Sequence, residues 1–168
     1  MKKFSTKALV LTALFAAVSI ILSRFLVIYI TSSARISFGM IPIILTSLLL
    51  GPIAGGLAGG LADFLGATLF SPLGWYPPLA VSPILVGILP GLLKPLLLKK
   101  VNLGRIGLVV FCSEFLVSIF VTTTILSKLY GTGYLQLLTV RGPIALGVLV
   151  VNSLLVYLLY KRLVKVSL

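Results

Sequence analysis

The chain has only two acidic side chains, Asp63 and Glu114, and it contains no histidine. Without histidine there is no Ser-His-Asp triad, no imidazole base and no ordinary zinc ligand set. The single cysteine, Cys112, lies in an apolar run, where cysteine usually behaves as a small hydrophobic residue, and it has no second cysteine to pair with. These residue types argue against an enzyme and predict no catalytic residue, no metal site and no cofactor.

Asp63 is the more informative acid because it lies within GPIAGGLAGGLADFLGATLF, residues 51–70, an apolar run long enough to cross a bilayer. It follows Pro52 by 11 residues, which is roughly 16 Å along an ideal helix. On the helix it shares a face with Gly56, Gly59 and Gly66, a strip with little side-chain bulk. Ionisable residues inside membranes are functional candidates, so we expect Asp63 to contact a ligand. The alternative is that the glycines pack helices and that Asp63 bonds to a neighbouring helix.

Basic residues fall into two sets, because all but four of the 14 Lys and Arg residues lie on the side that holds both termini. The positive-inside rule makes that side cytoplasmic. Snorkelling to the interface would explain any one of the other four, but guanidinium groups around a bundle mouth suit a ligand with carboxylates. For Arg141, Pro143 also marks a predicted helix start, where negative charge is favoured. The outer basic residues, all candidate ligand contacts, are Arg24, Arg35, Lys128 and Arg141.

Two segments at the outer side offer further ligand contacts. SPLGWYPPLAVSP, residues 71–83, is stiffened by four prolines and presents Trp75 and Tyr76, whose rings would stack on a planar ligand or else serve as interfacial aromatics. We also place Ser82 of this segment among the candidate contacts. The loop GTGYLQLLT, residues 131–139, adds Gln136. Glu114 begins a polar stripe on the fifth helix but lies nearer the cytoplasm, and we interpret it as structural.

Composition indicates that the candidate ligand contacts are positioned by membrane-spanning helices. The chain of 168 residues is 60% hydrophobic and 10% charged, with a mean hydropathy of +1.26, which excludes an ordinary soluble domain. We predict an all-α integral membrane protein in which a single bundle of six helices covers residues 1–168, the second helix being too short to span comfortably by itself. The predicted helices are 8–30, 37–50, 53–70, 79–98, 106–127 and 143–160.

The run ARISFGMIPIILTSLLLGPIAGGLAGGLADFLGATLFSPLGWYPPLAVSPILVGILPGLL, with SRF upstream, resembles the folate-family S components of energy-coupling factor (ECF) vitamin transporters. The RISFG, LLGPxAG and LADxLG elements carry the resemblance through helices 1 to 4. It implies a high-affinity, substrate-binding membrane subunit that works with a T subunit and two ATP-binding-cassette ATPases. The chain has no GxxxxGK[ST] phosphate loop, which agrees with ATP hydrolysis in a partner.

The resemblance also implies roles for particular residues. S components dock on the T subunit through an AxxxA motif on helix 1, which Ala13 and Ala17 match, although packing within the bundle explains these alanines equally well. Asp63 would accept the N–H edge of a pterin ring, the ring would stack on Trp75 or Tyr76, and the outer basic residues would neutralise the glutamyl carboxylates.

Other functions stay open at this stage. The chain fits an S component for another vitamin, such as a thiamine precursor or pantothenate, or a small autonomous channel or secondary transporter that uses Asp63 and Glu114. It also fits a scaffold subunit in which Asp63 pairs with an internal base. In each case we expect a multi-pass protein of a prokaryotic cell membrane, with both termini in the cytoplasm and with no nucleic-acid partner.

Overall fold

The computed structural model describes residues 5–31, 34–71, 74–98 and 101–166, with side chains for all of these except 29–31, 34–35 and 165–166. Six helices and one β-hairpin make up this part of the chain. They are α1 (Thr6–Arg24), β1 (Val27–Thr31), β2 (Ala34–Ser37), α2 (Met40–Leu50), α3 (Pro52–Phe70), α4 (Pro77–Leu97), α5 (Leu103–Tyr130) and α6 (Tyr134–Val166).

The prediction of an all-α membrane bundle is confirmed. Five of the helices in the described chain are long and apolar enough to cross a membrane, and α2, with 11 residues, is the short one. Although α2 is short, it is central: residues 41–48 are all buried, because α1, α3, α4 and α6 pack around it. Ile44 and Leu48 have no exposed surface and share an apolar core with Val109 of α5 and Val156 of α6.

The first predicted helix boundary is wrong. The sequence predicts a helix to residue 30, whereas α1 ends at Arg24 and is followed by the antiparallel pair β1 and β2, in which Val27 lies opposite Ser37 and Tyr29 opposite Arg35. The segment is apolar, which led to its inclusion in the helix, but its Val, Ile, Tyr and Thr residues favour extended backbone. Hydropathy alone does not distinguish the two conformations.

Two further helices begin earlier than predicted. α4 begins at Pro77, two residues before the predicted start, and Ser82 lies in its second turn. α6 begins at Tyr134 and continues through Pro143, so most of residues 131–139 is helical and Arg141 is not at a helix N-terminus. A proline is tolerated inside a membrane helix because neighbouring groups satisfy the backbone that it frees. No helix N-terminus therefore favours an anion at Arg141.

Helices α3 and α4 are in backbone contact through glycines. A Cβ atom added to Gly55 would overlap the carbonyl oxygen of Gly87, and one added to Gly59 would overlap the carbonyl oxygen of Pro83. Small residues allow this approach, and in a membrane such close packing is a main source of helix association. The interface fixes the position of α3, and with it the position of Asp63, against the start of α4.

Candidate ligand-binding site

Asp63 and Trp75, which the sequence suggested separately, are in direct contact. The indole Nε1 of Trp75 donates a hydrogen bond to Asp63 Oδ2 at 3.1 Å, across the short connection between α3 and α4. Phe64 supports the indole in an edge-to-face arrangement, with ring centroids 5.0 Å apart and planes at 90°. Gly74 precedes the indole with a φ of 72°, a left-handed conformation that favours glycine. The connection therefore carries an aromatic ring above a half-buried carboxylate.

Arg24 joins this pair from α1. Its guanidinium group lies over Gly66, because a Cβ atom placed on that glycine would be 3.1 Å from Arg24 Nε and 3.4 Å from Nη2. Gly66 follows Asp63 by three residues on α3, so that the arginine and the carboxylate lie on the same helical face. Arg24 is half-buried and points towards the bundle. The absence of a side chain at Gly66 is what leaves room for it.

The rest of the glycine strip next to Asp63 packs against α4. Gly59 packs against the backbone of Pro83, and a Cβ atom on Gly56 would meet Ile88 Cγ1 at 2.8 Å. Helix α4 thus covers the strip below Asp63. The packing alternative is therefore correct for these glycines.

Arg141 belongs to a second polar group, between α5 and α6. Its Nε donates to Thr123 Oγ1 at 3.1 Å and its Nη2 donates to Ser118 Oγ at 3.3 Å. Thr123 Oγ1 in turn donates to the backbone oxygen of Ser118 at 2.9 Å. The contacts lie on a part of α5 with wide, π-type turns, Val117–Thr122, a feature that is frequent at functional sites. Arg141 is half-buried and directed into the bundle by neutral hydroxyl groups.

Ser82 is buried and links α4 to this second group. Its Oγ accepts a hydrogen bond from Thr122 Oγ1 at 2.9 Å. The serine lies in the second turn of α4, which begins two residues after Trp75. α4 thereby connects the Asp63 group to the Arg141 group.

The remaining candidates are more peripheral. The side chains of Tyr76, Lys128 and Gln136 are exposed, and among the described residues no hydrogen bond joins them to either polar group. The backbone of Arg35 pairs with Tyr29 in the hairpin, but the side chain of Arg35 lies outside the described residues.

Several residues that contact these sites were not identified from the sequence. Phe64 supports Trp75, Thr123 binds Arg141, and Asn152 donates from Nδ2 to Glu114 Oε1 at 2.7 Å. Asn152 had a usable signal: it is an amide within the apolar run VLVVNSLLV, and the criterion that singled out Asp63 applies to it equally. Thr123 had none, because only the packing of α6 on α5 distinguishes it from its neighbouring threonines.

Comparisons with known proteins agree with this architecture. The sequence matches a protein-family model over residues 3–165, and that family is described as ECF-type riboflavin transporter, S component. The structure is similar to the crystal structure of FolT bound with folic acid, with a TM-score of 0.82 and 26% sequence identity over 94% of this chain and 95% of that one. No curated protein matches the chain. Both similarities extend over nearly the whole bundle.

Proposed function

The chain belongs to the family of ECF-type riboflavin transporter S components, and from this premise we propose that it captures folate at the outer face of the cell membrane for an ECF-type importer. The family is one of transporter subunits and not of catalysts. In the proposal, a T subunit and two ATP-binding-cassette ATPases complete the importer and hydrolyse ATP. The termini and most of the basic residues face the cytoplasm of a prokaryotic cell, as the positive-inside rule predicts.

The contact between Asp63 and Trp75, with Arg24 beside it, is the observation that carries the choice of folate. A carboxylate has about four acceptor positions, so a carboxylate that accepts the indole N–H can also accept N–H groups from the edge of a pterin. The indole provides an aromatic face for the same ring. The FolT structure, with folic acid bound, supports the same class of ligand.

The charge balance of the chain supports a ligand with carboxylates. The sequence has two acids and 14 basic residues, so its outer basic residues cannot all be neutralised from within. Arg24 and Arg141 are half-buried and directed inward, where their charges act in a less polar environment than at the surface. The two glutamyl carboxylates of folate would meet these guanidinium groups, which suit bidentate pairing.

Riboflavin is the second candidate because the family description names it. Riboflavin has a planar ring for the indole but no carboxylate for the arginines, so ligand charge separates the two vitamins. We would titrate the purified protein with folate, riboflavin, thiamine, biotin and pantothenate, following the fluorescence of the single tryptophan, Trp75. Calorimetry would confirm each hit. Saturable binding of folate alone supports the proposal, whereas binding of riboflavin alone overturns it.

Replacing Arg141 by Gln should weaken folate binding about tenfold, the effect of losing one charge-assisted contact of roughly 1.4 kcal/mol. Pteroate, which lacks the glutamyl tail, should bind both proteins equally. Lys161→Gln is the matched control, since it removes the same charge from an exposed cytoplasmic position. Calorimetric titration measures all four combinations. An equal loss for pteroate and folate would show that Arg141 supports the fold of the site and does not bind the tail.

Enlarging Ala13 and Ala17 should impair transport without affecting vitamin binding. Both alanines are exposed on α1, whereas Ala16 between them is 4% exposed and faces the bundle core. Their surface is therefore available for close packing with a T subunit. We expect the double change to leucine to reduce folate uptake by cells carrying the full importer about tenfold, the effect of losing roughly 1.4 kcal/mol of helix association.

The control for this prediction is Val150→Phe, an enlargement similar to that of each alanine-to-leucine change, at a side chain on α6 that is 70% exposed. It should leave uptake unchanged, and all variants should bind folate with the affinity of the wild type in detergent. Normal uptake by the double variant, at normal expression, would exclude this face of α1 from docking.

A further inference from the structure

An acid–amide pair lies between α5 and α6, one helical turn from the serine that binds Arg141. Glu114 of α5 and Asn152 of α6 are joined by the bond from Asn152 Nδ2 to Glu114 Oε1, at 2.7 Å. Asn152 has no exposed surface. Glu114 is roughly 16 Å along the helix from Leu103, where α5 begins, so the pair lies near the centre of the hydrophobic span.

The second oxygen of each side chain in this pair lacks a donor. Glu114 Oε2 and Asn152 Oδ1 are both buried, and neither has a hydrogen-bond partner among the described residues. Within the same part of the chain, Asn152 Nδ2 provides the only hydrogen bond to Glu114, and no Lys or Arg forms an ion pair with it. Two acceptors without a donor are unfavourable in an apolar interior, and an ionised carboxylate there is far more unfavourable.

We infer that the Glu114–Asn152 pair is a proton-binding site. A proton taken from water and held on Glu114 Oε2 converts the carboxylate into a neutral acid, and that O–H donates to Asn152 Oδ1. Acid and amide are then joined by two hydrogen bonds of opposite direction, and both orphan oxygens are satisfied by the one proton. No other group is oxidised, reduced or transferred.

A metal cation is a poorer occupant than a proton. Carboxylate and amide oxygens are suitable ligands for a hard cation, but such ions take about six or more oxygen ligands. Among the described residues, no group of three or more His, Cys, Asp or Glu side chains is placed to hold a metal ion. A proton needs only one oxygen to hold it and one to accept its bond, which the pair provides.

The position of the pair suggests what the proton does. Glu114 precedes Ser118 by one helical turn on α5, and Ser118 receives a hydrogen bond from Arg141 of α6. The same two helices are thus joined by the acid–amide pair and, one turn further on, by the arginine. The bound proton stabilises the register of α6 on α5 that places Arg141. This inference depends on helix packing and is independent of which vitamin binds.

The test is infrared spectroscopy of the wild-type protein, because Glu114 is the only glutamate in the sequence. Labelling with glutamate carrying 13C in its side-chain carboxyl group shifts the band of this residue alone. We expect the shifted band at the position of a protonated carboxylic acid at neutral pH, in sodium and in choline buffers alike. A carboxylate band in both buffers would overturn the inference, and a carboxylate band in sodium alone would replace the proton by a sodium ion.

Two variants test the same point through binding and stability. Glu114→Gln keeps the shape of a neutral acid and should leave folate affinity within about twofold of the wild type, a change smaller than that from losing one hydrogen bond. Glu114→Ala leaves the buried amide unpaired and should unfold at a lower temperature. If Glu114→Gln lowers folate affinity and the unfolding temperature as much as Glu114→Ala, and the infrared band is that of a carboxylate, then Glu114 acts through its charge. In that case the inference fails. Absence of folate binding by the wild type would affect only the proposed function.

Discussion

Asp63→Ala is expected to weaken folate binding by about 100- to 1,000-fold while leaving the bundle folded. The loss corresponds to two charge-assisted hydrogen bonds from the pterin edge, of roughly 1.5 to 2 kcal/mol each. The bundle should stay folded because Asp63 is only half-buried. The contact between α3 and α4 is made by the glycines that precede Asp63 on α3. Calorimetric titration of folate gives the affinity, and thermal unfolding in detergent gives the stability.

Two controls separate the carboxylate from its surroundings. Thr68→Ala removes an exposed hydroxyl on the same helix, which donates to backbone oxygens of its own turn, and should not change affinity. Trp75→Phe removes the indole N–H that Asp63 accepts while keeping an aromatic face. If the carboxylate binds the pterin directly, Trp75→Phe should cost much less than Asp63→Ala. Wild-type affinity in the Asp63 variant would remove the pterin contact from the proposal.

Gly55→Ala is expected to destabilise the protein by about 3 kcal/mol or more, although it adds a single methyl group. The added Cβ would overlap the carbonyl oxygen of Gly87, and a backbone atom cannot move aside as a flexible side chain can. The two helices must separate, and the close packing that associates them is lost. The remaining fraction of monodisperse protein after heating, measured by size-exclusion chromatography, reports the effect.

Gly147→Ala on α6 is the matched control for this substitution. Among the described residues, no atom beyond the neighbouring part of its own helix lies within 4 Å of a Cβ built there, so the change should be neutral or should stabilise the helix by up to about 1 kcal/mol. Equal stability of the Gly55 and Gly147 variants would mean that the α3–α4 contact is looser than the structure describes. A loss in both would point to a general intolerance of helix substitution.

The membrane bundle and its number of helices followed from the sequence alone, which also singled out Asp63 as a candidate ligand contact. These properties depend on local features: apolar runs of sufficient length, punctuation by Gly and Pro, and a charged residue where charge is unfavourable. The proximity of Trp75 to Asp63 was also within reach, because a short connection separates the two residues. The bounds of helix α3 were predicted to within one residue, because Pro52 marks its first turn and Ser71 directly follows its last residue.

Tertiary structure decided the features that depend on contacts between distant segments. The hairpin of β1 and β2 could not be predicted, because apolar β-branched residues are compatible with either a helix end or a strand. The glycines of α3 are covered because α4 packs against them. The side chain of Arg141 is directed inward because it donates to hydroxyl groups of α5. The Glu114–Asn152 pair joins residues 38 positions apart. Hydropathy and helical periodicity indicate which face of a single helix is buried. Which residues of two different helices contact each other depends on how the whole helices pack, and no local sequence pattern contains that information.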